Sequence, residues 1–196
     1  CSIADTAVQE VYSGGIANDS AVAAGGLQIV HDDGRANASE ISGILELESG
    51  AVSNFATIND GGILCADDGS TVNNVTLAPG GTLELDADAT LAGVTVTSGR
   101  IEAAAEVAAH TVVLALVQEG APVAPSEITK PLLNDLVLFR NADLCITVSF
   151  DYQTPGEYIL AGNAAEFTET VTVLGENLLD RYAELSVGET FANNDL

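Results

Sequence analysis

Four acidic residues, Asp32, Glu48, Asp67 and Asp86, each stand two residues before a recurring turn position. At that spacing they are expected to stack along one edge of a repetitive fold. Carboxylates about 5 Å apart repel by roughly 1 kcal/mol per neighbouring pair in water, a cost that a solvated turn tolerates. The chemistry open to such a column is calcium binding, because hard cations take several oxygen ligands and Asp33 and Asp68 stand beside it. No complete calcium-loop motif accompanies the column, and the competing reading is an acidic edge that keeps the molecule in solution. Apart from calcium, no cofactor is expected.

The remaining reactive residue types are sparse. Thr57, Thr76 and Thr95 share one phase and would form an outward hydroxyl row, of the kind that ice- or sugar-binding surfaces use. Threonine is also simply a good strand residue, so a structural role is preferred. Asn18, Asn37 and Asn54 follow turns and are read as bend residues. The cysteines Cys1, Cys65 and Cys145 fit neither a zinc site nor a disulfide framework. Cys65 is expected to point outward among acids, which leaves its thiol poorly activated. His31 and His110 are isolated in sequence, and no serine lies in a Gly-x-Ser-x-Gly elbow. Any acidic ladder contains carboxylate pairs at a separation suited to glycoside hydrolysis, so that signal carries no weight. No catalytic residue is assigned, and the chain is read as not an enzyme.

Elements that would hold these residues in place follow from composition and periodicity. The 196 residues carry 29 acidic side chains against 5 basic ones, a formal charge of −24. Arg35, Arg100, Lys130, Arg140 and Arg181 are scattered along the chain, which argues against nucleic acid and against an anionic membrane surface. No apolar run approaches the roughly 20 residues needed to cross a bilayer as a helix, so no membrane insertion by this segment is expected. With no Trp or Met and abundant small and β-branched residues, the core must be built from thin, stacked sheets.

Turn signals recur at Gly25-Gly26, Ser42-Gly43, Gly61-Gly62, Gly80-Gly81 and Ser98-Gly99, advancing by a nearly constant step that is shortest between Gly26 and Gly43. A second series runs Gly15, Gly34, Gly50, Gly69 and Asp88. Between the turns, Val22, Ile41, Ile58, Leu77 and Val96 form one aliphatic column, and Leu45, Leu64, Leu83 and Ile101 form another. Residues repeating in one phase stack, with successive coils about 4.8 Å apart. The alternation of Leu45 and Leu47 with Glu46, and of Leu83 and Leu85 with Glu84, assigns inward and outward faces. Paired glycines in every coil would break a helix. The fold class is therefore all-β: a right-handed β-solenoid of about 19-residue coils with a C-terminal β-rich cap.

Segments such as 13–22 (Ser-Gly-Gly-Ile-Ala-Asn-Asp-Ser-Ala-Val) and 24–30 (Ala-Gly-Gly-Leu-Gln-Ile-Val) resemble the AIDA-type repeat of bacterial autotransporter adhesins, over roughly residues 5–101. That resemblance implies a β-solenoid passenger on a bacterial surface, often adhesive and sometimes glycosylated on Ser or Thr, and it brings no catalytic residues with it. The 156–165 stretch and its sequel at 185–190 are similar to C-terminal modules of large repetitive surface proteins of gut bacteria.

Two regions are expected: solenoid repeats over 1–103 and a β-rich cap or C-terminal module over 104–196. Strands are predicted at 110–118, 135–140, 144–150, 158–161, 168–174 and 182–187, with turns at 120–122, 151–156 and 174–177. Cys1 reads either as a lipidated first residue or as a cut within a longer polypeptide, the second being favoured because repeat-like sequence begins at once. The expected function is a non-catalytic extracellular scaffold or adhesin segment on a bacterial cell surface, with a surface glycan or protein as partner. Self-assembly into a filament or surface layer ranks second, and a carbohydrate-active enzyme third.

Overall fold

The computed structural model describes residues 1–118, 121–148, 156–175, 181–186 and 189. Each of the first coils makes three short strands, exemplified by Leu27–Val30, Arg35–Asn37 and Glu40–Ile41. Every strand pairs in parallel with its counterpart one coil away, as Leu45 with Leu64 and Leu64 with Leu83. In these first coils the strands stay short because a turn residue interrupts the chain within a few positions. The stacking then supplies the hydrogen bonds that a lone short strand would lack.

One inner column can be followed through nine rungs: Ile3, Val22, Ile41, Ile58, Leu77, Val96, Leu114, Ile146 and Val173. None of the nine is more than 8% exposed. The second column, Leu45, Leu64, Leu83 and Ile101, faces it across the narrow interior and is fully buried. Both columns fall in the registers read from the sequence. The second begins with polar rungs, Gln9 and Gln28, where the amide of Gln28 donates to Gln9 Oε1 at 2.6 Å and to Ser20 Oγ at 3.2 Å. The buried Gln28 is thus satisfied from two coils, which removes the desolvation cost that a lone buried amide would carry.

The paired glycines have a steric cause. Gly80 sits at φ +80°, in the left-handed region, and a Cβ on Gly81 would lie 2.5 Å from the Ile58 carbonyl oxygen of the preceding coil. Stacked turns leave no room for a side chain there.

Across residues 103 and 104, where the sequence suggested a new module, parallel stacking continues. Thr111–Ala115 pairs with Thr90–Val96, Asp143–Val148 with Thr111–Ala115, and Val171–Gly175 with Asp143–Val148. The step changes: far more chain separates Leu114 from Ile146, and Ile146 from Val173, than separates Ile58 from Leu77. The second column lengthens in parallel, through the bridges Ile101 to Leu133 and Leu133 to Ala161. Asn134 acts as a partial rung: its side-chain oxygen accepts from Ala103 N at 3.0 Å and its amide donates to Ala103 O at 2.7 Å.

Several sequence expectations in this region need correction. Residues 135–140 are not a strand: Leu136–Phe139 is a 3-10 helix, started by Asp135, whose Oδ1 accepts from Val137 N at 2.9 Å. That turn buries Leu136 and Phe139 together, which a strand would send to opposite sides. Residues 158–161 also form no strand, contributing a single bridge at Ala161. Of the predicted 120–122 turn, Ala121–Pro122 is a strand that pairs antiparallel with Val117–Gln118, and Gly120 lies outside the described residues. The predicted strands at 110–118, 144–150, 168–174 and 182–187 are found as Thr111–Ala115 with Val117–Gln118, Asp143–Val148, Val171–Gly175 and Arg181–Leu185. Residues 149–155, 176–180 and 187–188 lie outside the described residues, so most of the predicted 151–156 turn and the later half of the 174–177 turn do as well.

Candidate functional site

The acidic edge exists in altered form. Leu47, Ala66 and Leu85 are in register, so Glu48, Asp67 and Asp86, the residues that follow them, share one column. Val30 is the residue in register with Leu47, so the next rung of that column is His31 and not Asp32. The coil from Val30 to Leu47 is shorter than the one from Leu47 to Ala66, and the glycine phase slips across it; Asp32 therefore falls beside the column. His31 Nδ1 lies 2.8 Å from Glu48 Oε2, and its Nε2 lies 3.6 Å from Glu10 Oε2. Tyr12 continues the column outward, its ring stacked on His31 at 4.7 Å and 7°.

Electrostatics along this edge follow the spacing. The hydrogen bond to Glu48 raises the His31 pKa above 6.5 against the opposing effect of burial, with the charges of Glu48 and Glu10 adding to the rise. Asp67 is raised from the usual carboxylate value, first by burial and then by Asp86, Glu48 and Asp68. Among the described residues, no three His, Cys, Asp or Glu side chains converge closely enough to hold a metal ion. Stacking at one residue per coil is the reason: a column spreads its oxygens along the axis, whereas a calcium ion gathers six to eight around a point.

Thr57, Thr76 and Thr95 pair directly, forming the expected outward row, and Val113 ends it on the next rung. The asparagine series is longer than the sequence suggested. Asn18, Asn37, Asn54 and Asn73 form a ladder, each amide donating to the previous carbonyl oxygen at 2.9, 2.8 and 2.9 Å. The residue after each rung adopts positive φ, Ala38 at 52° and Phe55 at 55° among them, a conformation unfavourable for L side chains. The backbone N–H of Phe55 donates to the Asn73 carbonyl at 2.9 Å and that of Ala38 to the Asn54 carbonyl at 2.8 Å, so backbone bonds to the next coil hold the strained bend beside the side-chain ladder. These asparagines are structural.

Cys65 points outward between Glu46 and Glu84, its sulfur 3.6 Å from Glu84 Oε2. Burial, followed by Glu84, Glu46 and Asp67, pushes the thiol up to about 12, so it is not a thiolate at neutral pH. Cys145 takes the rung between Val113 and Thr172. His110 serves through its backbone, its carbonyl accepting from Asp143 N at 2.8 Å.

One feature had no signal in the sequence. Arg100 and Lys130, well separated in the chain, line the same cleft beside the 79–82 and 98–100 turns. Both reach it because the 128–133 segment runs along the Arg100–Ala103 strand, where Ile101 N donates to Leu132 O at 2.7 Å.

Fold and geometry together define the chain as a β-solenoid whose outward residues form long columns. No protein-family model matches the sequence, and no curated protein resembles it significantly. Among solved structures it is similar to a hyper-glycosylated TibA fragment modified by TibC, with a TM-score of 0.53 and 21% identity. The likeness covers 82% of this chain and 52% of that one, so the chain spans about half the fragment's length. At that identity the likeness is one of fold.

Proposed function

We propose that this chain is a non-catalytic display module of a bacterial surface protein, a rod whose outward columns present binding groups to a surface glycan or protein. The observation that carries this reading is the division of labour within each coil. Inward positions go to the aliphatic columns or to satisfied buried amides, while outward positions form short stacked lines, Thr57, Thr76 and Thr95 in one and Glu48, Asp67 and Asp86 in another. Such lines suit extended, repetitive contact. The carboxylates of the acidic edge follow one another along an axis, one per coil, an arrangement suited to display more than to a reaction centred on one point. The solenoid likeness to TibA, a fragment carrying many sugars, is consistent with an extracellular setting.

The experiment is paired: attachment of the fluorescently labelled chain to cell surfaces and arrayed glycans, and release of reducing ends from acidic and neutral polysaccharides. Saturable attachment without sugar release is the expected result. Release of reducing ends by the purified chain would replace this reading with an enzymatic one.

A further inference from the structure

We infer that the cleft holding Arg100 and Lys130 binds the negatively charged group of an acidic saccharide, one anionic sugar in an otherwise neutral chain. This deepens the proposed function by giving the display module a defined ligand class, and it rests on that reading.

Charge distribution is the first argument. The chain carries only 5 basic residues at a net −24, yet two of them line one cleft of about 340 Å³. A cleft of this size, at the small end of ligand sites, accommodates one or two sugar rings. Lys130 is exposed, and no acidic partner within 4.0 Å is found for it among the described residues. The guanidinium of Arg100 is partly engaged, with one terminal nitrogen 2.7 Å from Glu102 Oε1 and its Nε 3.5 Å from Thr82 Oγ1. Those contacts fix its plane while leaving donors of the fork free. The one carboxylate in the lining, Glu127, accepts from Ala124 N, which commits it to the turn it begins.

The rest of the lining argues for a sugar. Ser98 and Thr129 supply hydroxyls that can donate or accept, beside Thr82, whose oxygen already lies against Arg100 Nε. The surrounding acid excess sets the size of the anion. A polyanion lying across the cleft would run over Glu102, Glu127 and the acids beyond them, whereas a single charged sugar places one negative charge beside the exposed Lys130 and the donors that Arg100 has left.

The test is isothermal titration of the full chain with three oligosaccharides of one neutral backbone: one bearing a terminal uronic acid, one a sulfate at that position, one unmodified. The uronic acid form is expected to bind, the unmodified form to bind at least tenfold more weakly. Arg100→Gln and Lys130→Gln are each expected to weaken binding of the acid by about tenfold, the scale of one charge-assisted hydrogen bond. Arg35→Gln, on another face, is expected to leave it unchanged. Equal binding of the sulfated form keeps the site and assigns recognition to charge rather than to carboxylate geometry. Because Lys130 is exposed, Lys130→Gln keeps the fold, and its melting midpoint verifies that. Binding of the unmodified sugar as tightly as the acid, or binding indifferent to both substitutions, overturns the inference. Attachment to cells that survives both substitutions would sink the cleft alone, and absence of any attachment would sink the display reading itself.

Discussion

The coils before residue 104 and those after it solve the same packing problem with different amounts of chain. In the first region each rung follows the last after one short coil, as from Leu45 to Leu64 and on to Leu83. In the second, the rungs at Leu114, Ile146 and Val173 are spaced more widely in sequence, and the surplus goes into a two-strand hairpin, two 3-10 turns and irregular connections. The inner column does not register the change: Val96, Leu114, Ile146 and Val173 stack as evenly as Ile41, Ile58 and Leu77. What a solenoid must keep is therefore the identity and phase of the residues facing inward. The period may vary freely wherever the extra residues can leave outward without interrupting the ladder.

Substitutions on both sides can break or sharpen that comparison. The largest effect is expected at Phe139, the bulkiest fully buried side chain among the described residues. Phe139→Ala should cost about 3–5 kcal/mol in urea unfolding, still in one transition, because Phe139 belongs to the same core cluster as Leu64. Two separated transitions would mean that the regions are independent bodies. Leu64→Ala, in the regular coils, should cost about 2–5 kcal/mol by the same measurement. Next comes the asparagine ladder, where Asn54→Ala removes a donor and an acceptor at once. A loss of about 1–3 kcal/mol is expected, with Phe55 and Ala38 leaving positive φ in NMR spectra. An unchanged midpoint would demote the ladder to decoration.

The smallest effects lie on the acidic edge and are read as signs. Asp67 has a raised pKa, so its ionised form opposes folding; Asp67→Asn should raise the melting midpoint at pH 7, and the gain should shrink as pH falls through the folded value. His31 has a pKa raised above 6.5, so its contribution is fully present below about 6.5 and is lost as pH rises through the folded value. His31→Gln should therefore destabilise the chain more at pH 5.5 than at pH 8, in paired thermal melts.

Sequence and structure diverge where phase and tertiary contact take over from periodicity. The aliphatic columns were legible because burial forces every rung to be apolar, so Ile58 or Leu83 announces its own register. Glycine marks a turn more loosely, since either of two adjacent positions can carry it; Gly34 and Gly50 belong to different phases, and Asp32 was accordingly placed one position off the column that His31 occupies. The run at 136–139 reads as a strand because it is short, apolar and bounded by polar residues, a pattern that does not separate a strand from a buried turn. Arg100 and Lys130 were out of reach altogether, for their sharing of one cleft depends on a segment that returns to the Arg100–Ala103 strand after a long irregular excursion.

Residue-resolved hydrogen exchange tests the central claim, that one uninterrupted ladder runs through both regions. Amides of Ile146 and Leu114 are predicted to be protected to the same extent as those of Leu77 and Val96, exchanging only through global unfolding. Exchange of the Asp143–Val148 strand well ahead of the Thr90–Val96 strand would contradict the account and separate the two regions into a solenoid and an independent attachment.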